Sequence, residues 1–145
     1  MREPLEKFGA FLVRNLRDKM LFDLDMLLRG AWKAPGLQER QKRVSDFSDA
    51  EKQVVSDVVE SIIRAGMHDL LLALQEEADN AGSVRVLVDG EEVAKLSDGL
   101  QAEPFGEDGW IVRYSEYPSQ TDIDLSRWAT EQIQKMFGDK GPEKG

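Results

Sequence analysis

Cysteine is absent from the 145 residues, and histidine occurs once, at His68. The first absence excludes a disulfide framework and thiolate chemistry. The two together exclude a zinc site of ordinary composition within one chain, because such sites draw on several cysteine or histidine ligands. Long apolar runs are also missing. The longest near the start, Phe8 to Val13, is six residues flanked by Lys7 and Arg14, far below the ~18 that suggest a membrane-spanning helix. It does not read as a secretory leader either. The cytoplasm is therefore the expected location. There is no Gly-x-x-x-x-Gly-Lys loop, no Gly-x-Gly-x-x-Gly turn, no Gly-x-Ser-x-Gly elbow and no EF-hand spacing. These absences remove the phosphate-cradling loop, the dinucleotide fingerprint, the hydrolase nucleophile turn and the common calcium loop. No cofactor and no metal is expected.

What is present is a globular composition, 41% apolar and 32% charged, at a length typical of one domain. The domain is expected to span 1–137, followed by a polar, frayed tail at 138–145. Charge is unevenly placed. Residues 1–44 hold ten basic and six acidic side chains, a net of +4, whereas residues 45–145 net −13. From Asp69 to Asp124, fourteen acids face only Arg85, Lys95 and Arg113. Such a field repels phosphate backbones and anionic membranes and attracts basic proteins. Nucleic acid and membrane are thus not expected as partners. A basic protein is.

Spacing predicts the elements. Pro4 suits a first helical turn. Leu5, Phe8, Leu12, Leu16, Met20, Leu24 and Leu28 recur every three or four residues, a helix face ending near Arg29, with Gly30 as the left-handed stop. Extra apolar residues at Phe11, Leu21, Phe22 and Leu27 imply packing on more than one side or a break near 19–22. A short polar helix is expected over Leu37–Val44. Ser48 and Glu51 form a capping box ahead of two apolar rows, Val54/Val58/Ile62 and Val55/Val59/Ile63. Gly66 is expected to kink or end that helix, with Met67, Leu70, Leu71 and Leu74 resuming its face. Burial on one side is expected for Val58, Ile62, Leu70 and Leu74. The period then shortens to two. Val84, Val86 and Val88 predict a strand and Asp89-Gly90 a hairpin turn. Glu91 to Leu96 is the returning strand, and Trp110, Val112 and Tyr114 a third. A last helix is expected from Leu125 or Ser126 to Phe137. The fold class expected is α+β: N-terminal helices packed on a three-stranded antiparallel meander, with a C-terminal helix.

Two residue groups carry candidate chemistry. The stretch from Ser97 to Tyr117 combines turn glycines, carboxylates and aromatic rings, the materials of a protein-binding loop. Asp98, Glu103, Glu107, Asp108 and Trp110 are its candidate contact residues. The competing reading makes Trp110 and Tyr114 the core face of the third strand and the acids ordinary turn residues. The second group is His68, Asp69 and Glu76, an alternative pocket in which His68 would act as a lone general base. A histidine on a helix is more commonly a packing or surface residue. His68-Asp69 cannot be the metal-binding pair of an HD phosphohydrolase, since that site needs several histidines.

Three blocks carry a resemblance: Phe11 to Lys19 (FLVRNLRDK), His68 to Glu76 (HDLLLALQE), and Ser97-Asp98-Gly99-Leu100 with Gly109-Trp110. Together they resemble a family of small, functionally uncharacterised bacterial proteins. That resemblance implies a compact bacterial domain and transfers no catalytic residue. Composition gives a looser likeness to the immunity proteins of bacterial toxin systems. The leading expectation is a non-enzymatic interaction domain whose acidic face holds a basic protein. The alternatives are a small enzyme or ligand-binding domain around His68, and a structural subunit that forms homodimers through an apolar helix face.

Overall fold

The protein's structure, a computed structural model, describes residues 2–117 and 134–136. Most of the expected C-terminal helix and the tail lie outside the described residues; 134–136 are helical. Among the described residues the fold is mainly helical, 71%, rather than α+β. α1 (Glu3–Leu12) runs through a π-helical turn at Val13–Arg17 into α2 (Asp18–Arg29). The π-turn inserts one residue into the apolar spacing. The inward row Leu5, Gly9, Leu12, Val13 therefore continues to Arg17 and Leu21, while Met20 is left exposed. Gly30 takes the left-handed conformation (φ +67°) that stops α2, with its N–H and that of Ala31 closing on Leu27 and Met26.

α3 (Pro35–Ser45) is held to the preceding loop by buried Gln41, whose amide donates to and accepts from the backbone of Trp32 (2.9 and 2.7 Å). α4 (Asp49–Asp79) starts at the expected capping box: Glu51 N–H donates to Ser48 Oγ (3.1 Å), and Ser48 N–H donates to Glu51 Oε1 (3.3 Å). The helix passes through Gly66 without ending there. At 31 residues it is about 46 Å long, at 1.5 Å per residue.

The core gathers Leu5, Leu12 and Val13 from the first helix, Ile63, Met67 and Leu71 from α4, and Val93, Leu100, Trp110 and Ile111 from the chain beyond. Trp110 lies flat over Gly9, where a Cβ would come within 2.4 Å of the indole. Phe8 meets the indole edge-on, at 6.0 Å between centroids. The row expected to be buried on α4 is displaced by one residue. Val58, Ile62 and Leu70 are 53%, 66% and 49% exposed, and Leu74 is partly buried. Adjacent rows on a helix are only 100° apart, and periodicity does not choose between them.

The three-stranded meander does not form. Its remnant is a pair of two-residue strands, β1 (Leu87–Val88) and β2 (Glu91–Glu92), in antiparallel register with Val88 opposite Glu91. The Asp89-Gly90 turn is as expected, with both residues at positive φ (51° and 83°), as a type I′ turn requires. The returning strand stops after Glu92 and becomes a 3₁₀ turn, Val93–Leu96. The expected third strand is a helix, α5 (Trp110–Tyr114). Five residues satisfy either period. As a helix they bury adjacent Trp110 and Ile111 and leave Val112 outside. The first two amides donate to Glu103 O and Pro104 O (3.0 and 3.1 Å), so no partner strand is needed.

Candidate functional site

The loop from Ser97 to Gly109 is anchored at both ends before it presents any charge. Gln75, buried on α4, accepts from Leu100 N–H (3.0 Å) and donates to Ala94 O (3.3 Å). This fixes the 3₁₀ turns Val93–Leu96 and Leu100–Ala102 against the helix. Ser97 Oγ accepts from Gly99 N–H (3.1 Å) and donates to Glu103 Oε1 (2.7 Å). Gly109 is required at the far end. A Cβ there would lie 2.5 Å from the carbonyl oxygens of Pro104 and Phe105.

Between this loop, the start of α1 and α5 lies an open cavity of about 610 Å³, lined by Arg2, Glu6, Glu103, Phe105, Asp108 and Arg113, among others. Two ion pairs bridge it, Arg2–Glu103 and Arg113–Glu6, the latter at 2.7 Å. Tyr114 donates its hydroxyl to Glu6 (2.6 Å), and Arg113 Nε donates to Asp108 O (2.9 Å). Burial works to raise the Glu6 pKa, but the hydrogen bonds from Tyr114 and Arg113 outweigh it and hold the carboxyl below its ordinary value. The Tyr114 phenol is pushed up by burial and by its bond to that carboxylate.

Of the contact residues expected from sequence, Asp98, Glu107 and Asp108 are exposed, and Glu103 is half-buried and already paired. Glu103 and Asp108 line the cavity together. Trp110 is fully buried and offers no surface. The three residues of the alternative pocket all lie on α4. His68 Nδ1 lies 3.1 Å from Asp69 Oδ1 on the exposed side of α4. Glu76 stands eight residues further on, about 12 Å along the axis, and is also exposed. Sequence reasoning missed Arg2, Glu6 and Arg113. The first two lie roughly a hundred positions from their partners, Glu103 for Arg2 and Arg113 for Glu6, and no local pattern marks either pairing.

A second polar cluster is structural. Arg17, 2% exposed, donates to Asp18 Oδ1 (3.1 Å), Ser115 Oγ (2.7 Å) and Tyr117 O (2.8 Å). Asp18 accepts from Ser115 Oγ (2.6 Å) and Glu116 N–H (2.9 Å). The pair clasps the chain after α5 onto the π-turn. Glu60 of α4 faces the same guanidinium at 3.7 Å.

Among the described residues, no group of three or more His, Cys, Asp or Glu side chains is arranged to hold a metal ion, and no helix is long and apolar enough to cross a membrane. No family model, no curated protein and no solved structure matches the chain.

Proposed function

We propose that this chain is a protein-interaction domain without catalytic chemistry, and that it holds a basic partner through the acidic loop 97–109, in the manner of an immunity protein on a nuclease toxin. One observation carries the reading. The loop is pinned to the core by Gln75, Ser97 and the α5 amides, yet Asp98, Glu107 and Asp108 stand exposed on it, and among the described residues their carboxylates make no ion pair. A rigid acidic rim steers a cationic surface at little ordering cost.

The test is a triple variant, Asp98→Asn, Glu107→Gln and Asp108→Asn. Glu103 is left out because its carboxylate braces the loop internally. Against a basic protein recovered by co-purification, the parent should associate more slowly as salt rises, since exposed charges act only over about 8 Å at physiological ionic strength. The triple variant should associate slowly at every salt concentration and melt like the parent. An association rate indifferent both to salt and to the three substitutions would overturn the reading.

A second reading, a homodimer, is favoured by a separate observation. Val54, Val58, Ser61, Ile62, Ala65, Gly66, Asp69, Leu70 and Ala73 form one exposed face of α4 that carries a single charge. It runs about 30 Å at 1.5 Å per residue. Apolar faces of that extent on a monomer commonly mark contacts.

A further inference from the structure

The two ion pairs of the 610 Å³ cavity are built differently. Glu6 and Arg113 neutralise each other, and Tyr114 braces them. In the other pair the carboxylate is enclosed and the cation is largely open to solvent. The Glu103 side chain is 18% exposed, while that of Arg2 is 55% exposed. Glu103 is oriented by Ser97 Oγ, and its backbone is held on both sides, N–H to Leu100 O (3.3 Å) and O from Trp110 N–H (3.0 Å). Arg2 precedes the first turn of α1 and makes no capping bond with its side chain. Asp108 lies on the same wall, and among the described residues its carboxylate makes no hydrogen bond or ion pair.

We propose that this cavity is a seat for an arginine side chain of the basic partner, and that Arg2 fills the seat in the free protein as an internal competitor. The proposal rests on the reading of loop 97–109 as the contact surface. With Arg2 in place the charged lining has three carboxylates and two guanidinium groups; with Arg2 displaced it has three and one. The volume lies within the usual range for ligand sites of about 300–1,000 Å³, so an arginine and part of its backbone fit. A guanidinium suits the site better than an ammonium, because its planar fork can engage Glu103 and turn remaining donors toward Asp108.

The experiment measures binding of a fluorescent tri-arginine peptide to the full chain by anisotropy, with a tri-lysine peptide as comparison. Arg2→Ala should tighten tri-arginine binding about two- to fivefold, the factor that a part-exposed ion pair contributes to an equilibrium. Glu103→Gln should weaken it about tenfold or more, as expected when a charged, desolvated partner is lost. Should Glu103→Gln lose its helical circular dichroism, Ser97→Ala takes its place. It keeps the carboxylate but frees its orientation, and it should also weaken binding. Unchanged or weaker binding in Arg2→Ala overturns the proposal, as does a tri-lysine peptide that binds equally well. If Asp98→Asn with Glu107→Gln weakens binding while Arg2→Ala and Glu103→Gln have no effect, the seat is wrong and the acidic loop survives. If the parent and Arg2→Ala both fail to bind, the seat and the loop fall together.

Discussion

The two apolar rows of α4 lie one residue apart and have opposite fates. Ile63, Met67, Leu71 and Gln75 face the core, while Val54, Val58, Ile62 and Leu70 face outward. By residue type the outer row is the more apolar, since the buried row ends in a glutamine. Apolar character alone therefore does not decide which face a long helix buries. The buried row is the one that offers a hydrogen-bonding side chain where the loops arrive: Gln75 satisfies Leu100 N–H and Ala94 O. Buried backbone groups need partners, and the outer row has none to give at that end.

The largest expected effect sets neighbouring leucines against each other. Leu71→Ala should destabilise the protein by about 2–5 kcal/mol, the usual range for a truncated core leucine. Leu70→Ala should change stability by no more than about 0.5 kcal/mol, as is usual for exposed positions. Urea midpoints of the two variants decide it. Equal losses would mean that the outer row is covered in the native protein.

Gln75→Ala comes next. Removing the amide leaves Leu100 N–H and Ala94 O without partners, at about 1–3 kcal/mol for the unsatisfied groups. The adjacent exposed change, Glu76→Ala, should be close to neutral. Amide hydrogen exchange would show the consequence directly: Leu100 N–H should lose protection in Gln75→Ala and keep it in Glu76→Ala.

How far the sequence disclosed this arrangement follows from the same geometry. The local signals were legible: the Ser48/Glu51 box, the Gly30 stop and the Asp89-Gly90 turn all stand where their chemistry requires. The choice between rows one residue apart was not, because it depends on what arrives from elsewhere in the chain. Trp110 to Tyr114 fits a two-residue and a helical period equally, and only the carbonyls of Glu103 and Pro104 decide for the helix. The π-turn at Val13–Arg17 has no spacing signature, and it turns Arg17 and Asp18 inward. At the candidate site the acids of 97–109 were visible as a cluster. Their pairing was not, because Arg2 reaches Glu103, and Glu6 reaches Arg113, only through the packing of α1 on α5.

A smaller effect belongs to that packing. Glu6 is held below its ordinary carboxyl value of 4.5. A depressed carboxyl stabilises the fold fully above the unfolded value and loses that contribution as pH falls through the folded one. Stability should thus decline below about pH 4.5, with Arg113 charged throughout. Tyr114→Phe removes one of the bonds that lower the value, so the decline attributable to Glu6 should shrink in that variant. Urea midpoints between pH 7 and pH 3 give the comparison, and parallel curves for parent and variant would remove the hydroxyl from the account. The raised Tyr114 pKa acts at the opposite end: its contribution is present at neutral pH and is lost as pH climbs past the ordinary phenol value of 10.0.

The smallest effect on folding is expected at the outer row, and it bears on the homodimer. Ile62→Glu places a charge on a side chain that is 66% exposed, so the monomer should keep its stability within about 0.5 kcal/mol. Ile63→Glu, one position along, buries an unpaired carboxylate and should unfold the protein. That contrast separates the fold from self-association. If the outer face pairs two chains, sedimentation velocity of the parent should show a weight-average mass that rises with concentration, and Ile62→Glu should abolish the rise. A single helix face about 30 Å long and 10 Å wide supplies less than the roughly 800 Å² per partner of a standard stable interface, so the pairing expected is weak and readily reversed. A parent that stays monomeric at the highest soluble concentration would remove the homodimer and leave the acidic loop as the remaining contact surface. A destabilised Ile62→Glu monomer would show that the outer row is covered within its own chain, and the contrast between the two rows of α4 would disappear.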